Sequence, residues 1–309
     1  MSAVFRLAHL TDVHLGPLPR PRLVELCSKR ITGFVSWHLR RRHLHRPEVL
    51  EATLAALSAE RPDHTVVTGD LVNISLPSEF AAARRWLERL GSGERVTVIP
   101  GNHDAYVPGA AEAGWPLWRP WMADAQSTAD FPFVRRIGPV ALVGLSSAVP
   151  RPWGDAAGAL GRAQLEALAA RLAALRGSGL CRVLLVHHPP VAGWSPRRKA
   201  LLDAPELRAV LAREGADLVL CGHDHRLASA RLPGADGPIP VLCAPSASLR
   251  AHEPERRGGA LIIALHPRTD GRGWSITARA LRFDPDSRRI LREEVPLETA
   301  AATALAWSG

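Results

Sequence analysis

The chain has 309 residues, of which 46% are hydrophobic and 22% charged, enough for one large core of the size that α/β enzymes build. Its four cysteines lie far apart without a CxxC pair, which excludes a zinc-knuckle spacing and an obvious disulfide framework. The formal charge of +9 is concentrated in Arg20–Arg46, the basic segment, which contains eight Lys or Arg residues and one acid, Glu25. This distribution indicates a local anionic partner and not a generally basic protein.

The N-terminus predicts no removable signal peptide, because the first residues run directly into a predicted strand. No apolar run reaches the roughly 20 residues that a membrane span needs. We therefore expect the protein in the cytoplasm, with peripheral attachment at the inner face of the membrane as the alternative.

Short apolar runs alternate with helix-like segments, the pattern of an α/β layered fold. The predicted strands are Val4–Leu10, His64–Thr68, Arg95–Ile99, Val140–Leu145, Arg182–Val186 and Asp217–Leu220. The predicted helices are Pro47–Glu60, Ser78–Leu90, Arg162–Arg176 and a pair within Pro196–Arg213. After residue 225 only strands are predicted, Leu227–Leu232, Ile239–Ala244, Ala260–His266 and Ser275–Phe283, and we expect them to form a second, antiparallel sheet. The domain is expected to span residues 1–292, followed by a loosely ordered tail, 293–309.

Potential metal ligands follow five of the predicted strands. They are Asp12-x-His14, Gly69-Asp70, Gly101-Asn102-His103-Asp104, His187-His188 and Gly222-His223-Asp224-His225. Loops at the carboxyl ends of strands gather at one edge of an α/β sheet, so these side chains are expected to lie together. If Asp-x-His and His-x-His are extended, both side chains of each pair point to the same face, and the preceding glycines leave room for tight turns. One such motif is usually a cap or a turn, but five in this order indicate a metal site that suits Mn, Fe or Zn better than Ca.

The order DxH, GD, GNHD, HH and GHxH resembles the calcineurin-like metallophosphoesterase family from Asp12 to His225. The resemblance implies an α/β fold, specifically a four-layer α/β/β/α sandwich in which helices flank two mixed sheets. It also implies two divalent metal ions, such as Mn, Fe or Zn. By motif, one ion would be held by Asp12, His14 and His225 and the other by Asn102, His187 and His223, with Asp70 bridging both.

Two ions about 3.5–4 Å apart activate a water for in-line attack on phosphorus. His103 is then the candidate general acid for the leaving alkoxide, and Asp104 is expected to orient or charge-pair its imidazole. The alternative for His103 is a structural role beside the metals. The candidate substrate-binding residues are Asn73, His188 and Arg41.

Two phosphate esters are compatible with the sequence. The GNHD, HHPPV and GHxH blocks resemble the bacterial cyclic-nucleotide phosphodiesterase branch, which opens 3′,5′-cyclic nucleotides. The basic segment is similar to an insertion in hydrolases that cleave the pyrophosphate of UDP-2,3-diacylglucosamine in lipid A synthesis, although the better-known branch of those enzymes carries Arg where this chain has His103. The apolar residues of the segment have nearly helical spacing, so it can lie on an anionic membrane surface, with Phe34 and Trp37 entering the interface. Alternatively it is a solvated helix over the active site whose arginines meet the substrate phosphate.

A hypothesis of another class is a non-catalytic scaffold with the same fold. Such proteins usually lose metal ligands, whereas this chain retains every position. Nucleic acid is not the expected partner, because no aromatic stacking platform accompanies the basic segment. The sequence makes no prediction of oligomeric state.

Overall fold

The computed structural model describes residues 4–122, 131–268 and 273–297. Its strands are β1 (Phe5–Leu10), β2 (His64–Val67), β3 (Val96–Val98), β4 (Phe133–Ile137), β5 (Val140–Gly144), β6 (Cys181–Leu185), β7 (Leu218–Cys221), β8 (Ala228–Leu232), β9 (Ile239–Cys243), β10 (Gly259–Pro267), β11 (Trp274–Asp284) and β12 (Arg289–Glu294). Its α-helices are α1 (Arg30–Ser36), α2 (Arg42–Leu44), α3 (Pro47–Ala59), α4 (Pro77–Leu90), α5 (Ala110–Gly114), α6 (Arg119–Met122), α7 (Arg162–Leu175) and α8 (Ala204–Glu214). None of the helices within these residues is both long and apolar enough to cross a bilayer.

The strands form two six-stranded mixed sheets. The first has the order β12-β11-β10-β1-β2-β3 and the second β4-β5-β6-β7-β9-β8. The prediction that the strands after residue 225 form a second, antiparallel sheet is wrong. Strand β9 instead pairs in parallel with β7 and carries β8 as its antiparallel neighbour, whereas β10 pairs antiparallel with β1 and extends the first sheet through β11 and β12.

The two faces of each central strand belong to different hydrophobic cores. In β5, Val140 and Leu142 join the core between the two sheets, whereas Ala141 and Val143 join the core beneath α7 and α8. Successive side chains of a strand point to opposite faces, so a strand buried on both faces reads as a continuous apolar run. On the other side, α3 packs on β10, β11 and β12. These layers confirm the predicted sandwich of two mixed sheets flanked by helices.

Most predicted elements agree with the structure to within one or two residues. The strands β4 and β12 and the short helices α5 and α6 were not predicted, and the expected helix pair within Pro196–Arg213 is one 3₁₀ turn, Arg197–Lys199, followed by α8. The predicted domain boundary at residue 292 falls inside β12. Residues 298–309 of the expected tail lie outside the described residues.

The basic segment is helical over most of its length and is tied to the domain just before α1 and just after α2. A 3₁₀ turn, Leu23–Leu26, precedes α1, a π-helical turn at Trp37–Arg41, and α2. Just before α1, Lys29 Nζ donates to the carbonyls of Arg151 and Asp155 at 3.1 and 3.2 Å. Just after α2, His45 forms an antiparallel bridge with Leu249. The segment is therefore a fixed layer over the edge where β1 and β2 end.

Close packing of α1 generates a prediction at Gly33. A methyl group there would overlap the side chain of Ile74 and lie 2.9 Å from the hydroxyl of Tyr106. Gly33→Ala is therefore expected to lower the free energy of unfolding by about 1–3 kcal/mol in urea denaturation and to increase proteolysis within the basic segment. The control is Thr32→Ala, an exposed position of the same helix, with a change within about 0.5 kcal/mol. Equal stability and equal protease resistance of the two variants would contradict the close packing.

Candidate metal centre

The backbone at the strand ends is strained where the candidate ligands lie. Eight non-glycine residues of the described chain have positive φ, and five of them are candidate ligands: Asp12 (50°), His14 (42°), Asp70 (56°), His223 (73°) and His225 (53°). The expectation that the Asp-x-His and His-x-His pairs are extended is therefore wrong. Left-handed conformations are costly for residues with a Cβ, and they persist where the surrounding structure enforces them, often at functional sites.

Two glycines allow the strand ends to approach each other closely. Gly69 has φ of 95°, and a Cβ there would lie 2.7 Å from the Cα of Gly101. A Cβ at Gly222 would collide with the hydroxyl of Thr11 and lie 2.7 Å from Asp12 Oδ2. The predicted role of glycine beneath the site agrees with these contacts, because only glycine leaves room for the crossing chains.

A first cluster of ligand atoms follows β1 and β7. The Nε2 atoms of His14 and His225 lie 3.3 Å apart, and His225 Nε2 lies 3.1 Å from Asp12 Oδ1. Asp12 Oδ1 has no aligned hydrogen-bond donor among the described residues, while its Oδ2 accepts the backbone N–H of His223 at 2.8 Å. Donors that each lie about 2.1 Å from one ion are about 3–4 Å from each other, so this cluster fits a metal ion.

A second cluster follows β3, β6 and β7. Asn102 Oδ1 lies 3.2 Å from His187 Nε2 and 2.9 Å from His223 Nδ1. All three side chains are buried. The mixture of one amide oxygen and two imidazole nitrogens suits a divalent transition metal.

The carboxylate of Asp70 joins the two clusters. Its Oδ2 lies 3.7 Å from His14 Nε2 in the first cluster and 3.5 Å from His187 Nε2 in the second. Its other oxygen, Oδ1, accepts the backbone N–H of His103 at 2.7 Å. One oxygen of Asp70 is thus within reach of both candidate ion positions.

Hydrogen bonds at Nδ1 of two imidazoles determine that Nε2 is the nitrogen that faces each cluster. His14 Nδ1 lies 3.1 Å from the carbonyl of Val72, and His187 Nδ1 lies 2.7 Å from the carbonyl of Thr68. A nitrogen that donates to a carbonyl carries the proton, which leaves the lone pair of Nε2 for a metal.

The charges of the site also favour cations. Burial opposes a charged His187 ring, but the carboxylates of Asp70 and Asp12 outweigh burial and raise the pKa of His187 to about 10. Two buried carboxylates therefore demand positive charge in this space, which metal ions would supply.

His103 and Arg41 meet beside the first cluster. His103 Nδ1 lies 2.5 Å from the carbonyl of Asn73, and one terminal nitrogen of Arg41 lies over the His103 ring, 3.2 Å from Nδ1 and 3.0 Å from Nε2. The other terminal nitrogen of Arg41 is almost equidistant from the two ring nitrogens of His14, at 2.9 and 3.1 Å, and so lies over the ring. Burial and the charge of Arg41 lower the pKa of His103 to about 3, so its imidazole is neutral without substrate.

Asp104 has a different environment from the one predicted. Its two oxygens accept the backbone N–H groups of Asp70 and Gly101 at 2.8 Å, of Leu71 at 3.0 Å and of Val72 at 3.1 Å. Both oxygens are occupied by these donors, so pairing with the His103 imidazole is not found among the described contacts. The contacts indicate that Asp104 holds the loops that carry Asp70 and Asn102.

The other candidate substrate-binding residues are buried rather than open to the site. His188 has both ring nitrogens engaged, by the hydroxyl of Ser147 at 2.7 Å and the carbonyl of Ala156 at 3.0 Å. The amide of Asn73 donates to the carbonyl of Leu15 at 2.9 Å. These contacts favour His187 over His188 as the ligand and give Asn73 a supporting role beneath His103.

His45 also lies at this site, although no sequence motif pointed to it. Its ring lies 4.4 Å from that of His14 and 5.3 Å from that of His225, and the hydroxyl of Ser248 holds its Nδ1 at 2.9 Å. One nitrogen of His45 lies within 4.8 Å of ligand atoms of both residues. The only signal in the sequence is its position at the end of the basic segment, before Pro47, where no strand precedes it.

Comparison with known proteins gives matches to metal-dependent hydrolases. Residues 5–227 match the model of the calcineurin-like phosphoesterase family. A probable cyclic nucleotide phosphodiesterase of Synechococcus is 29% identical over 219 residues, which are 70% of this chain and 77% of that protein. A dimetal phosphatase from Danio rerio superposes over 94% of this chain and 99% of its own, with a TM-score of 0.58 and 12% identity. A purple acid phosphatase from yellow lupin superposes over 94% of this chain and 53% of its own, with a TM-score of 0.60 and 12% identity.

The shared oxygen of Asp70 generates a prediction about metal content. Asp70→Ala is expected to lose most of the bound metal, whereas His223→Ala should retain about half of the wild-type content, since only one cluster loses a ligand. Elemental analysis of purified proteins measures both. Asp224→Asn is the matched control, because this carboxylate lies between two candidate ligands but accepts the hydroxyl of Ser195 at 2.7 Å. Equal metal content in Asp70→Ala and wild type would contradict the bridging position.

Proposed function

The chain belongs to the calcineurin-like phosphoesterase family and is therefore a metal-dependent phosphoric ester hydrolase, and from this premise we propose that it is a dinuclear phosphodiesterase. The observation that supports two ions is the position of Asp70 Oδ2, within 3.7 Å of His14 Nε2 and 3.5 Å of His187 Nε2. Asp12, His14 and His225 would hold one ion and Asn102, His187 and His223 the other. Bound there, the ions supply Lewis-acid activation of the phosphoryl group and of the attacking water.

The protein's own residues would position the ester and handle the leaving group. Arg41 presents a fixed guanidinium beside the first cluster, where it can bind a phosphoryl oxygen. His103, held through Nδ1 by the carbonyl of Asn73, has Nε2 free to pass a proton to the leaving oxygen. A phosphate bound beside Arg41 offsets the guanidinium charge, which favours the protonated form of His103 that a general acid requires.

The preferred substrate of this proposal is a 3′,5′-cyclic nucleotide. The Synechococcus relative is a probable cyclic nucleotide phosphodiesterase, and the alignment with it covers 70% of this chain. The scaffold hypothesis has no support, because both clusters retain every candidate ligand and the chain belongs to a family of phosphoesterases.

A second candidate is the pyrophosphate of UDP-2,3-diacylglucosamine. The absence of Arg at position 103 counted against it, but Arg41 brings a guanidinium to within 3.0 Å of His103 Nε2. A guanidinium is thus present at that point of the site, supplied by the basic segment. Under this alternative the protein acts at an anionic membrane surface.

A substrate panel tests the proposal. With Mn²⁺ supplied, the wild type is expected to hydrolyse bis-p-nitrophenyl phosphate and a 3′,5′-cyclic nucleotide faster than p-nitrophenyl phosphate, because one guanidinium and two ions suit a singly charged diester. The same assay includes UDP-2,3-diacylglucosamine. Preference for the monoester would contradict a phosphodiesterase, and preference for the lipid would favour the second candidate.

The role of His103 is tested by its dependence on the leaving group. His103→Ala is expected to keep its metal and to lose about 10²–10⁴-fold in rate with alkoxide leaving groups, but much less with p-nitrophenolate, which leaves without a proton. Arg41→Ala is the comparison variant. It should slow both kinds of ester by similar factors, because it contributes charge and not a proton. Equal losses for both leaving groups in His103→Ala would leave His103 without the general-acid role.

A further inference from the structure

The helical part of the basic segment has an inner face that is fully engaged by the domain. Residues spaced by four along a helix lie on one side of it. On the inner side, Gly33 packs against Ile74, Trp37 is 5% exposed, and Arg41 reaches the rings of His14 and His103. This face connects the segment to the metal centre.

The outer face carries apolar side chains with the same spacing. Ile31, Val35 and Leu39 are 44%, 47% and 77% exposed, and no described part of the chain covers them. Nine large apolar side chains are exposed in the described residues, and five of these lie in the basic segment, where Leu23 and Val24 precede the stripe. Such a concentration marks an interaction surface and not the scattered exposure of an ordinary monomer.

The charges around this stripe are almost all positive. The exposed cations of the segment are Arg20, Arg22, Arg40 and Arg42. Its single acid, Glu25, accepts the backbone N–H of Arg22 at 2.7 Å and lies 3.4 Å from the guanidinium of the same residue. A second copy of this face would bring like charges together, which opposes self-association. An apolar stripe flanked by arginines is complementary to an anionic lipid surface.

We propose that the outer face of the basic segment docks on an anionic lipid bilayer, with Ile31, Val35 and Leu39 entering the boundary between headgroups and acyl chains. This surface is independent of which ester is hydrolysed. It also replaces the earlier expectation that Phe34 and Trp37 enter the interface. Phe34 is half-buried with its ring 4.2 Å from that of His38, and Trp37 is buried against Gly16.

Vesicle sedimentation tests the docking face. The wild type is expected to sediment with phosphatidylcholine vesicles that contain phosphatidylglycerol, and to be released as salt rises. The variant Ile31→Ser/Val35→Ser/Leu39→Ser should bind these vesicles at least about tenfold more weakly than the wild type. The matched control is Leu202→Ser/Leu291→Ser, which removes apolar side chains that are 42% and 36% exposed elsewhere and should bind like wild type.

Two further measurements separate this inference from the proposed function and from misfolding. Hydrolysis of soluble bis-p-nitrophenyl phosphate should be unchanged in the triple variant, because these side chains point away from the metal centre. Cys27 is exposed and the other three cysteines are buried, so a polarity-sensitive dye can be attached to Cys27 of the otherwise unmodified protein. The fluorescence emission of this dye should shift to shorter wavelength when anionic vesicles are added. Three outcomes would overturn the proposal. The wild type could fail to bind anionic vesicles at low salt, or it could bind neutral vesicles equally well. The third outcome is that the triple variant and the control lose the same amount of vesicle binding. If the wild type is a dimer and the triple variant is a monomer, the outer face binds a second copy of the chain and the proposal is overturned.

Discussion

Two buried carboxylates, those of Asp12 and Asp70, set the constraint that the rest of the site satisfies. An ion removed from water costs several kcal/mol unless opposite charge and hydrogen bonds compensate it. In each carboxylate one oxygen accepts a backbone N–H, from His223 or His103, and the other faces the cluster of imidazoles. Arg41 and a protonated His187, whose pKa these carboxylates raise to about 10, can balance part of that charge, but a proton on His187 Nε2 occupies the lone pair that faces the clusters. Divalent ions between the carboxylates and the imidazoles would satisfy the buried charges, the lone pairs and the donor set together.

The strained backbone explains why other buried carboxylates surround the centre without facing it. Left-handed residues at Asp12, Asp70 and His223 each cost of order 1–3 kcal/mol, so the loops need internal support. Asp104 supplies it by accepting four backbone N–H groups, and Glu79 does the same for the loop after Asp70 with three. Acidic residues near the centre thus divide into those that face the candidate ion positions and those that hold the chain around them.

The sequence predicts that the candidate ligands lie together because they follow apolar strands directly, and the local pattern specifies where a strand ends. Sheet membership of β8 to β12 depends on pairing between distant segments, which no local pattern specifies, and it was predicted wrongly. The role of Asp104 depends on where the Asp70 loop folds, so its place beside His103 in sequence was misleading. Arg41 and His45 reach the centre from a helical segment and do not directly follow a strand. A search for polar residues at strand ends therefore cannot find His45.

The π-helical turn at Trp37–Arg41 sets the direction of the last part of the basic segment, whereas Phe34 and Trp37, which were assigned to the interface from sequence, are held by contacts with His38 and Gly16. A π turn contains one residue more than an α turn and so shifts the phase of the residues that follow. Here it turns Arg41 onto His14 and His103 and keeps Leu39 on the outside. Because Lys29 before α1 and His45 after α2 are bonded to the domain, the guanidinium is held in place before any substrate arrives. Under the proposed function, a cation held in this way would stabilise developing phosphoryl charge without the cost of closing a lid, and the basic segment would couple recognition of the ester to the site of chemistry.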